Sequence, residues 1–369
     1  MGNRNSNNVM MQNNAGFHAD CLATFIGSMP LTDHEQAIDL ILENVPEIPC
    51  WAQLPAYKEE GMVMQFALGL PGLCNESGNF FVNAESSNFD EELLQFFEEY
   101  IAVDEGEIGL DGSRFNLTKE TANGFFMLLD HLQRLSTPPV AIKGQITGPF
   151  TFCTGIVDHN KQAIFYNPQI RDAAVKLLAM KAKWQVQQLS QLKRPVIIFF
   201  DEPGLAGVGS SGFTSISNHE ISQCFEEVLD AVHAEGGLAG VHVCANTDWS
   251  VVLESSVDIV NFDAYAYFDR FVLYPEKIKN YLDSGNILAW GIVPTLNPEE
   301  LERETSRSLL GQWEEKARQI EALGIDKQTL IKQSLITPSC GTGSLSADLA
   351  RKAIELTKEV SKELRKQYF

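Results

Sequence analysis

Eight short runs of strand-forming residues alternate with helix-period segments along this chain, a pattern that calls for a parallel sheet with helices outside it. The runs are TFIGS, IPCWAQ, VAIKGQIT, VIIFFDE, AGVHVC, DIVNFD, ILAWGI and SLITPSC. Between them stand amphipathic patterns such as TDHEQAIDLILENV, with Thr32 or Asp33 as N-cap, and SNHEISQCFEEVLDAVHAEGG, closed by glycine. Eight βα units predict an α/β fold of the TIM (β/α)8 barrel type, one domain over residues 20–369. An open doubly wound sheet would carry a glycine-rich phosphate turn after its first strand, and no GxGxxG stands there. The rhythm breaks once, after the second run, where EGMVMQFALGLPGLCNESGNFFVNAESS is expected to be an inserted loop or hairpin. The Asn-rich start, residues 1–19, is expected to be a flexible arm.

Charge and cysteine usage narrow the partners. A formal charge of -21 repels a phosphate backbone, so nucleic acid is not expected. No run of eighteen apolar residues and no signal-peptide pattern occur, which predicts a soluble cytoplasmic protein without a membrane partner. Seven scattered cysteines do not form a disulfide framework, and most are expected to be small buried hydrophobes.

In a TIM barrel the chemistry gathers where the strands end in their carboxyl direction. Those ends supply Ser28, Gln53, Thr147, Asp201, Glu202, His242, Cys244, Asp263 and Cys340. His242 and Cys244 are two apart in AGVHVCAN, so a strand points both to the same side. By itself that pair reads as core packing. Cys340, in TPSCG at another strand end, completes one imidazole and two thiolates, the donor set that suits Zn2+ with a coordination position left open. Asp263 can fill the fourth place or cap the helix that follows it. A thiol bound to such an ion is deprotonated, which makes the site a source of sulfur nucleophiles.

HVC on the fifth run, TPSCG on the eighth, IGSMP near the start, TGPF after the third and FDEP after the fourth resemble the superfamily of cobalamin-independent methionine synthase, uroporphyrinogen decarboxylase and methylcobamide:coenzyme M methyltransferase. The resemblance spans nearly all of the chain after the arm and matches the catalytic barrel of methionine synthase. It implies that His242, Cys244 and Cys340 hold zinc, with Asp263 where methionine synthases have a glutamate ligand. It also implies that Ile26, Gly27 and Ser28 approach a substrate carboxylate and that Asp201 faces a substrate amine. The acid pair Asp201 and Glu202 is expected to orient the acceptor. Two positions depart from the family. Gln53 is the nearest candidate where methionine synthases place a second acid, and the tryptophan that stacks on methylfolate has no counterpart.

The expected activity is therefore transfer of a methyl group to a zinc-activated small thiol, homocysteine or a relative, within one-carbon metabolism and methionine biosynthesis. The donor is expected to be a methylfolate or a methylated corrinoid protein. A corrinoid-dependent enzyme of the coenzyme M type, a metal-free decarboxylase, and a zinc- or corrinoid-binding partner without turnover are the alternatives. The decarboxylase is disfavoured because arginines near the N-terminus are few, Arg4 being followed next by Arg114.

Overall fold

The computed structural model describes residues 17–76, 79–208, 213 and 215–369. Among these described residues nine strands form: β1 Leu73–Glu76, β2 Asn79–Val82, β3 Ile142–Thr147, β4 Val157–Asp158, β5 Val196–Asp201, β6 Leu238–Val243, β7 Ile259–Phe262, β8 Ile287–Val293 and β9 Ser334–Pro338. Six of them make one all-parallel sheet in the order β3-β5-β6-β7-β8-β9, with helices between successive strands. Both faces of these strands are buried, which is why their sequences run apolar without alternation. The sheet thus reproduces six of the eight expected strands.

The first two expected strands, TFIGS and IPCWAQ, are not strands. They are reduced to isolated parallel bridges, Ala23 to Ile336, Ser28 to Gln53 and Cys50 to Lys143. In the first run Gly27 stands at φ 140°, and just before it Asp20 and Cys21 take positive φ angles of 42° and 54°, so no extended ladder runs through that stretch. What survives is local: Cys21 N donates to Ser334 O (2.8 Å), Met29 N to Gln53 O (2.9 Å) and Lys143 N to Pro49 O (2.9 Å). A hydrogen-bonded path therefore leads from β9, through both irregular segments, to β3.

The inserted segment contains the expected hairpin, since β1 pairs antiparallel with β2, with Leu73 opposite Val82. β2 then pairs in parallel with β4, and short helices at Lys58–Glu60 and Met64–Ala67 precede the hairpin. The expected arm lies outside the described residues as far as residue 16. Phe17 and Ala19 are described, and both are buried.

Two apolar layers separate along the strands by parity. Ile197 and Phe199 of β5 join Phe17, Leu238, Ile259, Ile287, Ala289 and Leu335 in an inner cluster, while Ile198 and Phe200 face the helices. The same parity carried onward points Asp201, His242 and Asn261 to the inner side, above that cluster. Helix starts are set by local chemistry. Asp33, one of the two expected caps, accepts from the amides of Glu35 (2.9 Å) and Gln36 (3.4 Å), and Ser217 with Glu220 forms a capping box. No helix among the described residues is long and apolar enough to cross a membrane.

Candidate metal centre

His242 is an inward residue of β6, and its parallel register partner on β7 is Asn261. That pairing sets the tautomer. Asn261 Nδ2 donates to Ala289 O (2.8 Å) and Thr337 Oγ1 (2.7 Å), so its amide oxygen is the group that faces His242 Nδ1. An amide oxygen only accepts, hence Nδ1 carries a proton, and in the neutral ring Nε2 is the nitrogen with the lone pair. Nε2 is buried and has no hydrogen-bond partner among the described residues. An orphaned, correctly presented imidazole nitrogen is the state that a metal ligand requires.

Two sulfurs complete the set. The ligand atoms of His242, Cys244 and Cys340 lie within 4.8 Å of one another, although the residues come from the ends of β6 and β9. The Cys340 thiol holds Cys244 well below the usual thiol range, to about 4, and His242 adds to this against the penalty of burial. Cys340 is correspondingly pushed well above the usual thiol range by Cys244 and by burial, while the Gly341 amide works the other way. One nitrogen lone pair and a thiolate beside a thiol fit a borderline-soft divalent ion such as zinc. A second group, Glu35, Asp39 and His131, also converges but lies toward the surface, where His131 Nε2 already pairs with Glu35 at 2.9 Å.

Asp263 does not join the three ligands within that radius. Its Oδ1 accepts from Ala266 N (2.8 Å), so the carboxylate closes the turn that follows β7 rather than capping the helix Phe268–Phe271, whose N-cap is Tyr267. Burial raises its pKa to about 6, with those amides pulling the other way. Asp201 does reach the site. It is buried, its Oδ1 has no hydrogen-bond partner among the described residues, and burial lifts it to about 6 against the pull of His242 and Lys143.

Glu202 is turned elsewhere. Being one residue further along β5 it takes the opposite parity, and its carboxylate accepts from Phe150 N (2.9 Å), Thr151 N (2.7 Å) and Thr151 Oγ1 (2.6 Å). It caps the helix Pro149–Gly155 from another element, and these bonds engage both of its carboxylate oxygens. Burial raises it to about 7, offset in part by those same donors.

Ile26, Gly27 and Ser28 come together beside Cys340. Thr342 N and Oγ1 both donate to Ser28 O, at 2.9 and 3.0 Å, and a Cβ added to Gly341 would stand 2.0 Å from Ser28 Oγ. Gln53 is adjacent: a Cβ on Gly27 would lie 2.9 Å from Gln53 Oε1 and 2.5 Å from Gln145 Nε2. Gln53 Nε2 is committed to Gln65 Oε1 at 2.6 Å, so its oxygen is the end left toward Gly27. His159 is half-buried, its Nε2 close to Asn160 Nδ2 (2.7 Å) and to Glu85 Oε1 (3.0 Å). Of the aromatic residues after β7, Tyr265 bonds Glu304 (2.9 Å) while Phe268 stacks on Trp290, 6.1 Å between centroids.

Asn261, Lys143, Gln145 and Gln65 carry polar groups into this region without having been singled out from the sequence. Three of them had a signal there: a polar residue at inward parity in an otherwise apolar strand, as in DIVNFD and VAIKGQIT.

No family model and no curated protein matches the chain. Among solved structures, a B12-independent methionine synthase from Shewanella sp. W3-18-1 in complex with selenomethionine is similar at a TM-score of 0.47 and 18% identity, covering 66% of this chain and 67% of that one. A fungal β-1,4-galactanase is similar at a TM-score of 0.34 and 11% identity, over 63% of this chain and 83% of its own. A GH5-4 broad specificity endoglucanase from an uncultured bacterium has a TM-score of 0.34 and 9% identity, over 94% and 95%.

Proposed function

We propose that this protein is a zinc-dependent S-methyltransferase acting on a small thiol, of the methionine synthase kind, with homocysteine or a related compound as acceptor. The observation that carries the reading is the convergence of His242, Cys244 and Cys340 around an unpartnered imidazole nitrogen. We further propose that the parallel sheet and the two bridged segments make up a (β/α)8 barrel over residues 20–369, preceded by an arm, in a cytoplasmic protein.

His242, Cys244 and Cys340 hold the metal. When bound, zinc supplies the positive charge that keeps an acceptor thiol ionised at neutral pH. The chain's residues then do the positioning. Asn261 holds the His242 ring in register, and Asp201, inward and without a partner, is placed to take an ammonium group of the acceptor. The Ile26–Gly27–Ser28 segment, packed against Gly341, offers amide and hydroxyl donors to its carboxylate. Holding two substrates in line supplies much of the rate for a bimolecular transfer, and no protein general base is required for a thiol already ionised. The methyl donor is a methylfolate or a methylated corrinoid protein.

Metal analysis with a transfer assay tests this. Purified protein should hold one zinc per chain and move a labelled methyl group from methylcobalamin to homocysteine or 2-mercaptoethanesulfonate, and Cys340→Ser should abolish both. Metal-loaded protein that methylates neither thiol sinks the methyltransferase reading and leaves a binding module.

A further inference from the structure

The two sulfurs of the metal centre have a second chemistry open to them. Cys244 follows the last residue of β6, Val243, and Cys340 comes shortly after the last residue of β9, Pro338. Both stand in bends, past the ends of the strand pairings at Val243 and Pro338, so the backbone at either can turn without breaking the sheet. Their sulfurs lie within 4.8 Å of each other. A disulfide closes at about 2.05 Å, and the gap that remains is of the size a change of side-chain rotamer spans.

Exposure separates these thiols from the rest. Cys244 and Cys340 are half-buried, open enough for a small oxidant, whereas Cys21, Cys50, Cys153 and Cys224 are buried. Cys74 is also half-buried, but it stands on the hairpin strand β1, where its sulfur donates to Gly72 O at 3.5 Å. The third metal donor behaves differently. His242 is buried, and its ring is fixed by Asn261. Once the sulfurs are joined to each other, that single imidazole is left to hold an ion that ordinarily has three or four protein ligands.

We propose that Cys244 and Cys340 form a redox pair that governs metal occupancy: a hydroperoxide closes them into a disulfide and the ion leaves, and a dithiol reopens the site. The inference rests on the zinc reading of the three donors and adds to it a means of switching the enzyme off. One sulfur attacks an oxygen of the hydroperoxide, the O–O bond breaks, and water or an alcohol departs to leave a sulfenic acid. The second sulfur then attacks the first, the S–O bond breaks and water departs, which leaves the disulfide. Two electrons have passed from sulfur to oxygen, and where both sulfurs begin as thiolates the solvent supplies two protons. A neighbour this close traps the sulfenic acid before it reaches the irreversible sulfinic stage. The dithiol reverses the change by exchange and becomes a cyclic disulfide itself.

Full-length, zinc-loaded protein treated with hydrogen peroxide in the presence of a zinc-sensitive dye tests this without any assay of turnover. Two of the seven thiols should be lost as the zinc is released, in step, and peptide mapping should find Cys244 joined to Cys340. Dithiothreitol and fresh zinc should restore both thiols and the metal. Cys74→Ser, which removes the other half-buried thiol, should leave the release unchanged. Zinc lost with Cys244 or Cys340 carried on to sulfinic acid overturns the proposal, and so does a disulfide between any other pair or a Cys244–Cys340 link that keeps the metal. Reduced protein that takes up no zinc overturns the metal reading and this inference together, whereas zinc-loaded protein that forms no such link overturns the inference alone.

Discussion

Asn261 sets the protonation of the His242 ring. Its own amide is pinned by Ala289 O and Thr337 Oγ1, which leaves no freedom to flip. Replacing it with leucine removes the acceptor at Nδ1 and should lower metal affinity about 10–100-fold while the sheet stays intact. Competition against a chromophoric chelator measures this, and unchanged affinity would show that the ring is oriented by packing alone. Glu202 makes a prediction of a different sort. Its folded carboxyl releases its proton near pH 7, chiefly because of burial, against an ordinary value of 4.5. Between those values the folded state binds more protons than the unfolded one, so this group makes stability fall as pH rises through that window, by something on the order of 3 kcal/mol. Glu202→Gln should flatten the decline seen in urea melts between pH 4.5 and 7.5; an equally steep decline in the variant refutes the assignment.

The elements that hold the site differ in how plainly they stand in the sequence. β5, β6 and β8 are largely apolar runs, and they form where that pattern places them. TFIGS and IPCWAQ have similar composition but become bridges, the first because Gly27 at φ 140° interrupts it. Composition does not register a backbone angle. Parity within a strand was legible for Asp201 and His242; that Glu202 would cap a neighbouring helix was not, since its three donors belong to Phe150 and Thr151, far away in sequence. β8 contributes a constraint of its own at Gly291, where an added Cβ would meet Phe262 O at 2.7 Å and Ser339 Cα at 2.8 Å. The second of these atoms belongs to the residue next to Cys340. Gly291→Ala should cost roughly 1–3 kcal/mol and weaken metal binding at the same time. Loss of stability with metal affinity intact would uncouple β8 from the site.

At the scale of the whole molecule, the metal ligands join the carboxyl ends of β6 and β9, which are not adjacent in the sheet. An ion bound there stabilises only the folded chain, since the unfolded one does not bring those donors together. With free metal at about a thousand times Kd the gain is about 4 kcal/mol, so chelation should lower Tm by about 5 °C for a chain of 369 residues. Calorimetry of metal-loaded and chelated protein checks this, and equal Tm values would show that the three side chains do not hold a metal tightly. By itself the amino-acid sequence determined the βα alternation, the inward parity of His242 and Asp201, and the chemical types of the metal donors, because these follow from local periodicity and side-chain chemistry. Only the tertiary structure decided that Cys340 meets His242 and Cys244, that Asp263 closes a turn and Glu202 caps a helix, and that Asn261 stands behind His242. Those outcomes depend on hydrogen-bond competition between residues distant along the chain, which no local pattern encodes.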